Sequence, residues 1–288
     1  MLEIQDYEVM GFRMAIKGMR NAMNSWAKSD SEVIDFCESK IHCWDCPYFN
    51  LACTDVMFRI GKKDMKLAKS LIKAGSSDRK FLRMIHVQVD VTAPLYFWKE
   101  ASTYKVATTM NSCSTMHKIH SKPITLDDFS IEDVVVEDGP VGLKLEDCFI
   151  NVVEDCEMLR KKYIKSKDKR YWKALIQLLP SSYNQLRTWD LDYETLISIY
   201  FQRRNHKLEE WKQFCNWIEK LPYMKEFISV LDEEKDIEAR KELDGVKKGD
   251  SNAMSYEYEV SNDYGKKTII YDHDGTSVTE SKEESNEQ

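Results

Sequence analysis

The chain has 288 residues, with 42 Lys and Arg against 49 Asp and Glu, and 42% of its residues are hydrophobic. This balance is typical of a globular protein with enough apolar residues for a core, and it excludes a wholly disordered chain. No apolar run approaches the ~18 residues of a membrane-spanning helix, and no secretory signal is recognisable. We therefore expect a cytoplasmic protein with no membrane partner.

The acidic charge is concentrated near the C-terminal end. Residues 249–288 contain ten acidic and three basic residues, a net charge of −7, whereas residues 1–248 are neutral. Residues 1–248 have no net charge and lack the excess of Lys and Arg that displaces counterions from a nucleic acid. We therefore expect no nucleic-acid partner. Weak alternation within residues 249–288 leaves a small hairpin open, but the polar composition favours a disordered tail.

The N-terminal region predicts an extended start and then a helix, because Phe12, Ile16 and Met19 recur at helical spacing. A cluster of cysteines follows between residues 37 and 53. Its members are Cys37, Cys43, Cys46 and Cys53. Four thiolates can close a tetrahedral site, and Cys-x2-Cys is a zinc-knuckle spacing, so these are candidate ligands of a structural zinc. The alternative is four reduced thiols in an irregular insertion.

The elements of the central region are read from capping and periodicity. Asp64 is placed to cap a helix that Gly75 ends. Residues 86–91 alternate between apolar and polar and predict a half-buried strand. Pro94 suits the first turn of the next helix. Residues 108–114 are polar without a clear period, which favours a loop.

The C-terminal part of the body is strongly helical from Leu145 onward. Apolar stripes at helical spacing predict two helices, and Pro180 ends the second. Asp192 is a suitable N-cap for a third helix. A last helix begins near Leu208 and stops before Pro222. Few glycines and prolines, ten and six, agree with a helix-rich fold.

Two distant regions carry the strongest functional signal. Their motifs are, in chain order, residues 91–98, 103–116, 179–185, 189–196, 203–206 and Trp211. Together these motifs resemble the flavin-dependent thymidylate synthases. In that family a strand and a proline lead into a helix, and the signature Arg-His-Arg-x-x-Ser-x-Asn-Glu-x-Ser-x-Arg follows. A later Leu-Pro turn precedes a helix that reads Trp-Thr-Val-Asn-x-x-x-Leu. That helix ends in an Arg, and a His and Gln-Trp follow shortly after it.

The first motif departs from the family signature when it is aligned on Asn111. Thr109 stands for the first serine, and Ser114 matches the second. The replaced positions are Tyr104, Lys105 and Val106 for Arg-His-Arg, Ser112 for Glu, and Met116 for the last Arg. Arginine suits phosphates because its planar fork makes bidentate, charge-assisted bonds. The loss of three arginines therefore removes much of the attraction for anionic ligands.

The second motif follows the family more closely. Trp189 and Leu196 match, and Asp192 replaces an Asn. Arg203 falls where the family's nucleotide-binding Arg lies. His206 lies near the position of the flavin-contacting His. The chain is thus similar to the family as a divergent relative.

The resemblance implies an α+β, helix-rich fold with a mixed sheet core over residues 1–248, including the cysteine-rich insertion. It also implies FAD as cofactor, a homotetramer, and methylation of dUMP or a related pyrimidine nucleotide with methylenetetrahydrofolate as carbon donor. Nucleotide contacts are implied for Ser112, Ser114 and Arg203. Flavin contacts are implied for Lys105, Thr109, Asn111, Asp192 and His206.

Two alternatives remain open from the sequence. One is a repurposed relative that keeps the fold as a nucleotide-binding or scaffold protein and has lost flavin, as the missing Arg-His-Arg triplet suggests. The other is a zinc-knuckle interaction module, which only the cysteine cluster favours. No phosphate-binding glycine loop and no nucleophile elbow is present in the sequence.

Overall fold

The computed structural model describes residues 2–33, 58–132 and 144–232, and the backbone of three strands between residues 256 and 282. The chain divides into two compact units, Met1–Leu231 and Asp232–Gln288, whereas the sequence places the change at residue 249. The cysteine cluster lies outside the described residues. None of the described helices combines the length and apolar composition needed to cross a membrane.

The first unit alternates short strands with helices. Its first elements are β1 (Glu3–Met10), α1 (Phe12–Met19), β2 (Glu32–Val33), β3 (Phe58–Arg59), α2 (Lys62–Ala74), β4 (His86–Pro94), α3 (Leu95–Ala101) and β5 (Thr108–Ser112). The later elements are α4 (Leu145–Ser166), α5 (Lys169–Leu178), β6 (Asn184–Asp192), α6 (Tyr193–Arg203) and α7 (Glu209–Ile218). A further helical segment covers residues 224–232.

Four strands form one antiparallel sheet in the order β1-β4-β6-β5, so β5 is an edge strand. Side chains alternate between the two faces of a strand. In β4 the apolar set, Val87, Val89 and Val91, is fully buried, as the period of two predicted. The α+β, helix-rich fold class is confirmed by this architecture.

Strand β6 was not predicted, and the helix that the resemblance implied at Trp189 is wrong, because Trp189 lies on this strand. Charged residues such as Arg187 and Asp190 interrupt its sequence and hide the alternation. The inward positions are nevertheless regular, because Trp189 and Leu191 are fully buried and Gln185 is nearly so. The helices α3 and α7 pack against this face through aromatic rings. The clearest contact is a stack of Trp189 on Phe214, with centroids 5.5 Å apart and planes 16° apart.

A second, smaller core lies between α4, α5 and the segment after β5. It consists of Ile119, Ile124, Phe129, Val153, Cys156, Leu175 and Tyr183. Both helices were predicted from their apolar stripes, and α5 ends just before Pro180. Burial raises the pKa of Cys156 to about 11, as expected of an inert thiol in a core.

The prediction that Asp64 caps α2 is wrong. The helix begins two residues earlier, at Lys62, and the side chain of Asp30 accepts hydrogen bonds from the backbone N–H of Lys63 and Asp64. Asp64 is instead fully buried and pairs with the buried Arg20. Burial raises its pKa, but hydrogen bonds from Ser29, from Ser31 and from Arg20 outweigh burial and hold the pKa below its ordinary value.

The second unit is described by its backbone alone. Strands β7 (Tyr256–Asn262), β8 (Gly265–Tyr271) and β9 (Ser277–Lys282) form an antiparallel sheet in that order. The sequence favoured disorder over a small hairpin here, whereas the described backbone is three-stranded.

Candidate functional site

Tyr104 joins the two sequence motifs in space. It lies between α3 and β5, and its backbone carbonyl accepts a hydrogen bond of 2.6 Å from the hydroxyl of Thr108, the first residue of β5. Its own hydroxyl accepts a hydrogen bond of 2.9 Å from Nε of Arg203, the last residue of α6. A residue that replaces the signature's arginine therefore contacts the Arg of the second motif.

Arg203 is held in a cluster of five side chains, which we call the Arg203 cluster. Its members are Glu100, Tyr104, Arg203, His206 and Trp211. Nη1 of Arg203 lies 3.2 Å from a carboxylate oxygen of Glu100. The guanidinium also lies over the ring of Trp211, 4.9 Å from its centroid. Charge pairing and cation–π contact both fix this cation.

Glu100 is the centre of the cluster, and the sequence did not identify it. The same oxygen, Oε2, accepts a hydrogen bond of 2.7 Å from Nε1 of Trp211, which is fully buried. Nε2 of His206 lies 3.6 Å from this oxygen. Nδ1 of His206 accepts a hydrogen bond from the backbone N–H of Leu208, which leaves the proton of a neutral imidazole on Nε2, facing Glu100.

The polar signature residues lie on the edge strand, and the pleat divides them between two faces. Thr109 and Asn111 are paired with Asp190 and Thr188, on the face away from the helices, and both are exposed. Ser112 is paired with a residue of the helix-covered face. Alternation along a strand separates adjacent side chains in this way.

The remaining predicted residues take separate positions. Lys105 is exposed between α3 and β5. Ser114 follows β5, and its hydroxyl accepts a hydrogen bond of 2.8 Å from the backbone N–H of His117. Asp192 is nearly fully buried and caps α6, where its carboxylate accepts a hydrogen bond of 2.7 Å from the N–H of Thr195. The N-cap prediction for Asp192 is confirmed, and its contact with a cofactor stays a prediction.

Arg187 is a cation of the same region that the sequence did not identify. It lies on β6, directly opposite Ser112 of β5. Its guanidinium lies over the ring of Trp98, 4.6 Å from the centroid. Nη1 donates to the hydroxyl of Ser102 at 3.2 Å, and Nε donates to the side-chain carbonyl of Gln185 at 3.0 Å. Recognition of β6 as a strand would have placed Arg187 on the helix-covered face.

Comparison with known proteins then establishes the fold. No protein-family model and no curated protein matches the chain. A thymidylate synthase X structure from Helicobacter pylori, with FAD and dUMP, is 14% identical and has a TM-score of 0.52, covering 79% of this chain and 97% of that one. A second structure of that bacterium's flavin-dependent enzyme, also with FAD and dUMP, is 13% identical with a TM-score of 0.50, covering 77% and 97%.

The chain has the fold of the flavin-dependent thymidylate synthases. The match covers most of both Helicobacter pylori structures, so the resemblance seen in separate motifs extends over nearly a whole molecule of that fold. The sequence motifs were therefore a correct guide to the architecture.

The predicted zinc site stays a prediction. In the ranges that the structure describes, no group of three or more His, Cys, Asp or Glu side chains is placed to hold a metal ion. Cys37, Cys43, Cys46 and Cys53 lie within residues 34–57, outside those ranges. The candidate site of the described residues is made of guanidinium, carboxylate, hydroxyl and ring side chains.

Proposed function

We propose that this protein is a flavin-dependent enzyme that methylates dUMP or a related pyrimidine nucleotide. The observation that carries the proposal is the contact of Tyr104 with Arg203, because it joins two motifs 99 residues apart. In the family that the motifs resemble, the Arg at this position holds the nucleotide. The fold match to structures that contain FAD and dUMP supports the same conclusion.

Arg203 is suited to a planar, polar ligand. Its guanidinium is fixed by Tyr104 and Trp211, so little side-chain entropy is lost when a ligand binds. Because Glu100 already neutralises its charge, we expect Arg203 to contact carbonyl groups of the base. A dianionic phosphate would be repelled by the adjacent carboxylate of Glu100.

The residues present fit FAD with fewer charges than the family uses. Lys105 is an exposed cation for a diphosphate. Thr109 and Asn111 add an exposed hydroxyl and amide on the edge strand. When bound, reduced flavin supplies the hydride of the reaction. In this proposal methylenetetrahydrofolate supplies the carbon, and the protein is a cytoplasmic homotetramer, as the resemblance implies.

A second candidate is a nucleotide-binding relative without flavin chemistry. Two observations favour it. An internal carboxylate, Glu100, pairs with the arginine that the family uses for the nucleotide. The Arg-His-Arg triplet is replaced by residues that include Val106, whose side chain is 83% exposed and cannot bind a phosphate.

The test is a flavin count followed by a single-turnover assay. The purified protein is examined by absorbance, and FAD is extracted and quantified per chain. The proposed enzyme carries or takes up about one FAD per chain, and dUMP with methylenetetrahydrofolate oxidises its reduced flavin. Arg203→Lys should slow this oxidation, while Arg170→Gln, a matched change at an exposed arginine of α5, should leave it unchanged. A protein that binds dUMP but no added FAD supports the second candidate instead.

A further inference from the structure

Arg187 has no carboxylate partner among the described residues, unlike the two buried arginines of that part of the chain. Arg20 pairs with Asp64, and Arg160 with Glu157. Within the ranges that the structure describes, the partners of Arg187 are a hydroxyl, an amide carbonyl, a thioether and an indole ring. All of these groups are neutral.

The surroundings of Arg187 disfavour its charged form. Burial lowers the pKa of Arg187, and no carboxylate raises it. Charged groups that leave water without an opposite charge carry a desolvation cost, and proteins therefore rarely keep them unpaired. A cation kept at such a cost is expected to have a ligand that supplies the missing charge.

The geometry leaves one end of the guanidinium available. Nε and Nη1 donate to Gln185 and Ser102. Nη2 has no hydrogen-bond partner among the described residues. It is also not fully buried, so a ligand can reach it. Ser112, directly opposite on the edge strand, is exposed. Cross-strand partners project from the same face, so the side chains of Ser112 and Arg187 lie on one face of the sheet.

We propose that Arg187 and Ser112 form an oxyanion site that takes the phosphate monoester of the nucleotide. The proposal rests on the proposed function for the identity of the ligand. It divides the recognition between two arginines: Arg203, neutralised by Glu100, faces the base, and Arg187, which has no carboxylate, binds the phosphate. A guanidinium and a hydroxyl give a phosphate charge-assisted and neutral hydrogen bonds together.

The first experiment uses inorganic phosphate, which tests the anion site without reference to the nucleotide. Isothermal titration and thermal unfolding compare the full chain with Arg187→Gln, Arg187→Lys and Ser112→Ala. We expect phosphate to bind the unaltered protein and raise its Tm, Arg187→Gln to weaken binding at least tenfold, and Arg187→Lys to weaken it less. Arg170→Gln is the control, because Arg170 is 89% exposed and paired with Asp168.

Phosphate that does not bind the unaltered protein, or that binds Arg187→Gln equally well, overturns the proposal. If Arg187→Gln does not fold, as judged by circular dichroism, Ser112→Ala decides, since that exposed hydroxyl has no structural role that would prevent folding. A threefold or greater loss of phosphate affinity in Ser112→Ala supports the site, and an unchanged affinity overturns it.

The second experiment compares dUMP with deoxyuridine, which lacks the phosphate. We expect Arg187→Gln to lower the affinity for dUMP and to leave that for deoxyuridine unchanged. If phosphate binds through Arg187 but dUMP does not bind at all, the oxyanion site is supported and the proposed function is overturned. If dUMP binds and Arg187→Gln does not change its affinity, the proposed function stands and Arg187 has no part in it.

Discussion

Two arginines that contact helix α3 lie in different electrostatic environments. Arg203 is paired with Glu100 and lies over Trp211. Arg187 also lies over an indole, that of Trp98, but only neutral groups surround it. Both cations lie over an indole ring, and they differ in whether the protein supplies the opposite charge. The charge of Arg203 is neutralised within the protein, whereas in our proposal the charge of Arg187 is neutralised by a ligand.

The largest effect of breaking a pair is expected at Arg20 and Asp64. Both side chains are almost completely inaccessible, at 5% and 0%. Asp64→Ala leaves the guanidinium buried without a charge partner, which should lower the free energy of unfolding by ~3–5 kcal/mol. Urea denaturation measures this loss, and Asp127→Ala, at an exposed carboxylate, is the control. If Asp64→Ala lowers the free energy of unfolding no more than the control does, the pair does not stabilise the fold.

The pair of Glu157 and Arg160 should show itself as acid sensitivity. A bidentate contact with Arg160, aided by the N–H of Ile124, holds the pKa of Glu157 at about 2. A folded-state pKa below the unfolded value means that the stabilisation is complete at neutral pH. It is lost as the pH falls from the unfolded pKa of ~4.3 towards 2.

Glu157→Gln tests this assignment. The pair should contribute ~2–3 kcal/mol at pH 7, and the variant should lose that amount at pH 7 but much less at pH 2.5. Urea denaturation at several pH values gives the comparison. A difference between the two proteins that does not change with pH would contradict a titrating role for Glu157.

Glu100→Ala removes the acceptor at the centre of the Arg203 cluster. The buried indole N–H of Trp211 then has no partner, which should cost ~1–3 kcal/mol. Glu100→Gln keeps an acceptor for the indole and should be closer to the unaltered protein. Urea denaturation followed by tryptophan fluorescence distinguishes the two variants. Equal stability of both would show that the charge of Glu100, rather than its hydrogen bond to Trp211, decides the effect.

Periodicity and capping signals predicted much of this fold. The helices α4 to α7 follow from apolar spacing, β4 follows from its period of two, and the cap at Asp192 follows from its residue type. The strand β6 was missed because charged side chains occupy inward and outward positions alike. Local patterns do not show that Arg187 has Trp98 beneath it.

The sequence identified candidate site residues by their type and missed those that depend on pairing. Family resemblance located Arg203 and the edge-strand residues, and the fold match supports that architecture. It did not identify Glu100, because the contact of Glu100 with Arg203 spans 103 positions and is created by packing of α3 against α6. Asp64 was assigned to a cap for a similar reason, since its partner Arg20 is distant in sequence.

The smallest effect on stability is expected at Arg187. Arg187→Met removes a cation–π contact and two hydrogen bonds to neutral groups, but it also removes the desolvation of an unpaired charge. The lost contacts destabilise the protein, and the removal of the unpaired charge stabilises it. The free energy of unfolding should therefore change by less than ~1 kcal/mol.

Arg203→Met is the matched change at the paired arginine. It leaves Glu100 without its cation and should lower the free energy of unfolding by ~1–2 kcal/mol. Urea denaturation of the two variants, side by side, gives the difference directly. A larger loss at Arg187 than at Arg203 would make Arg187 a structural residue, and its unpaired charge would then no longer indicate a ligand. A smaller loss leaves binding as the reason for a cation at this position.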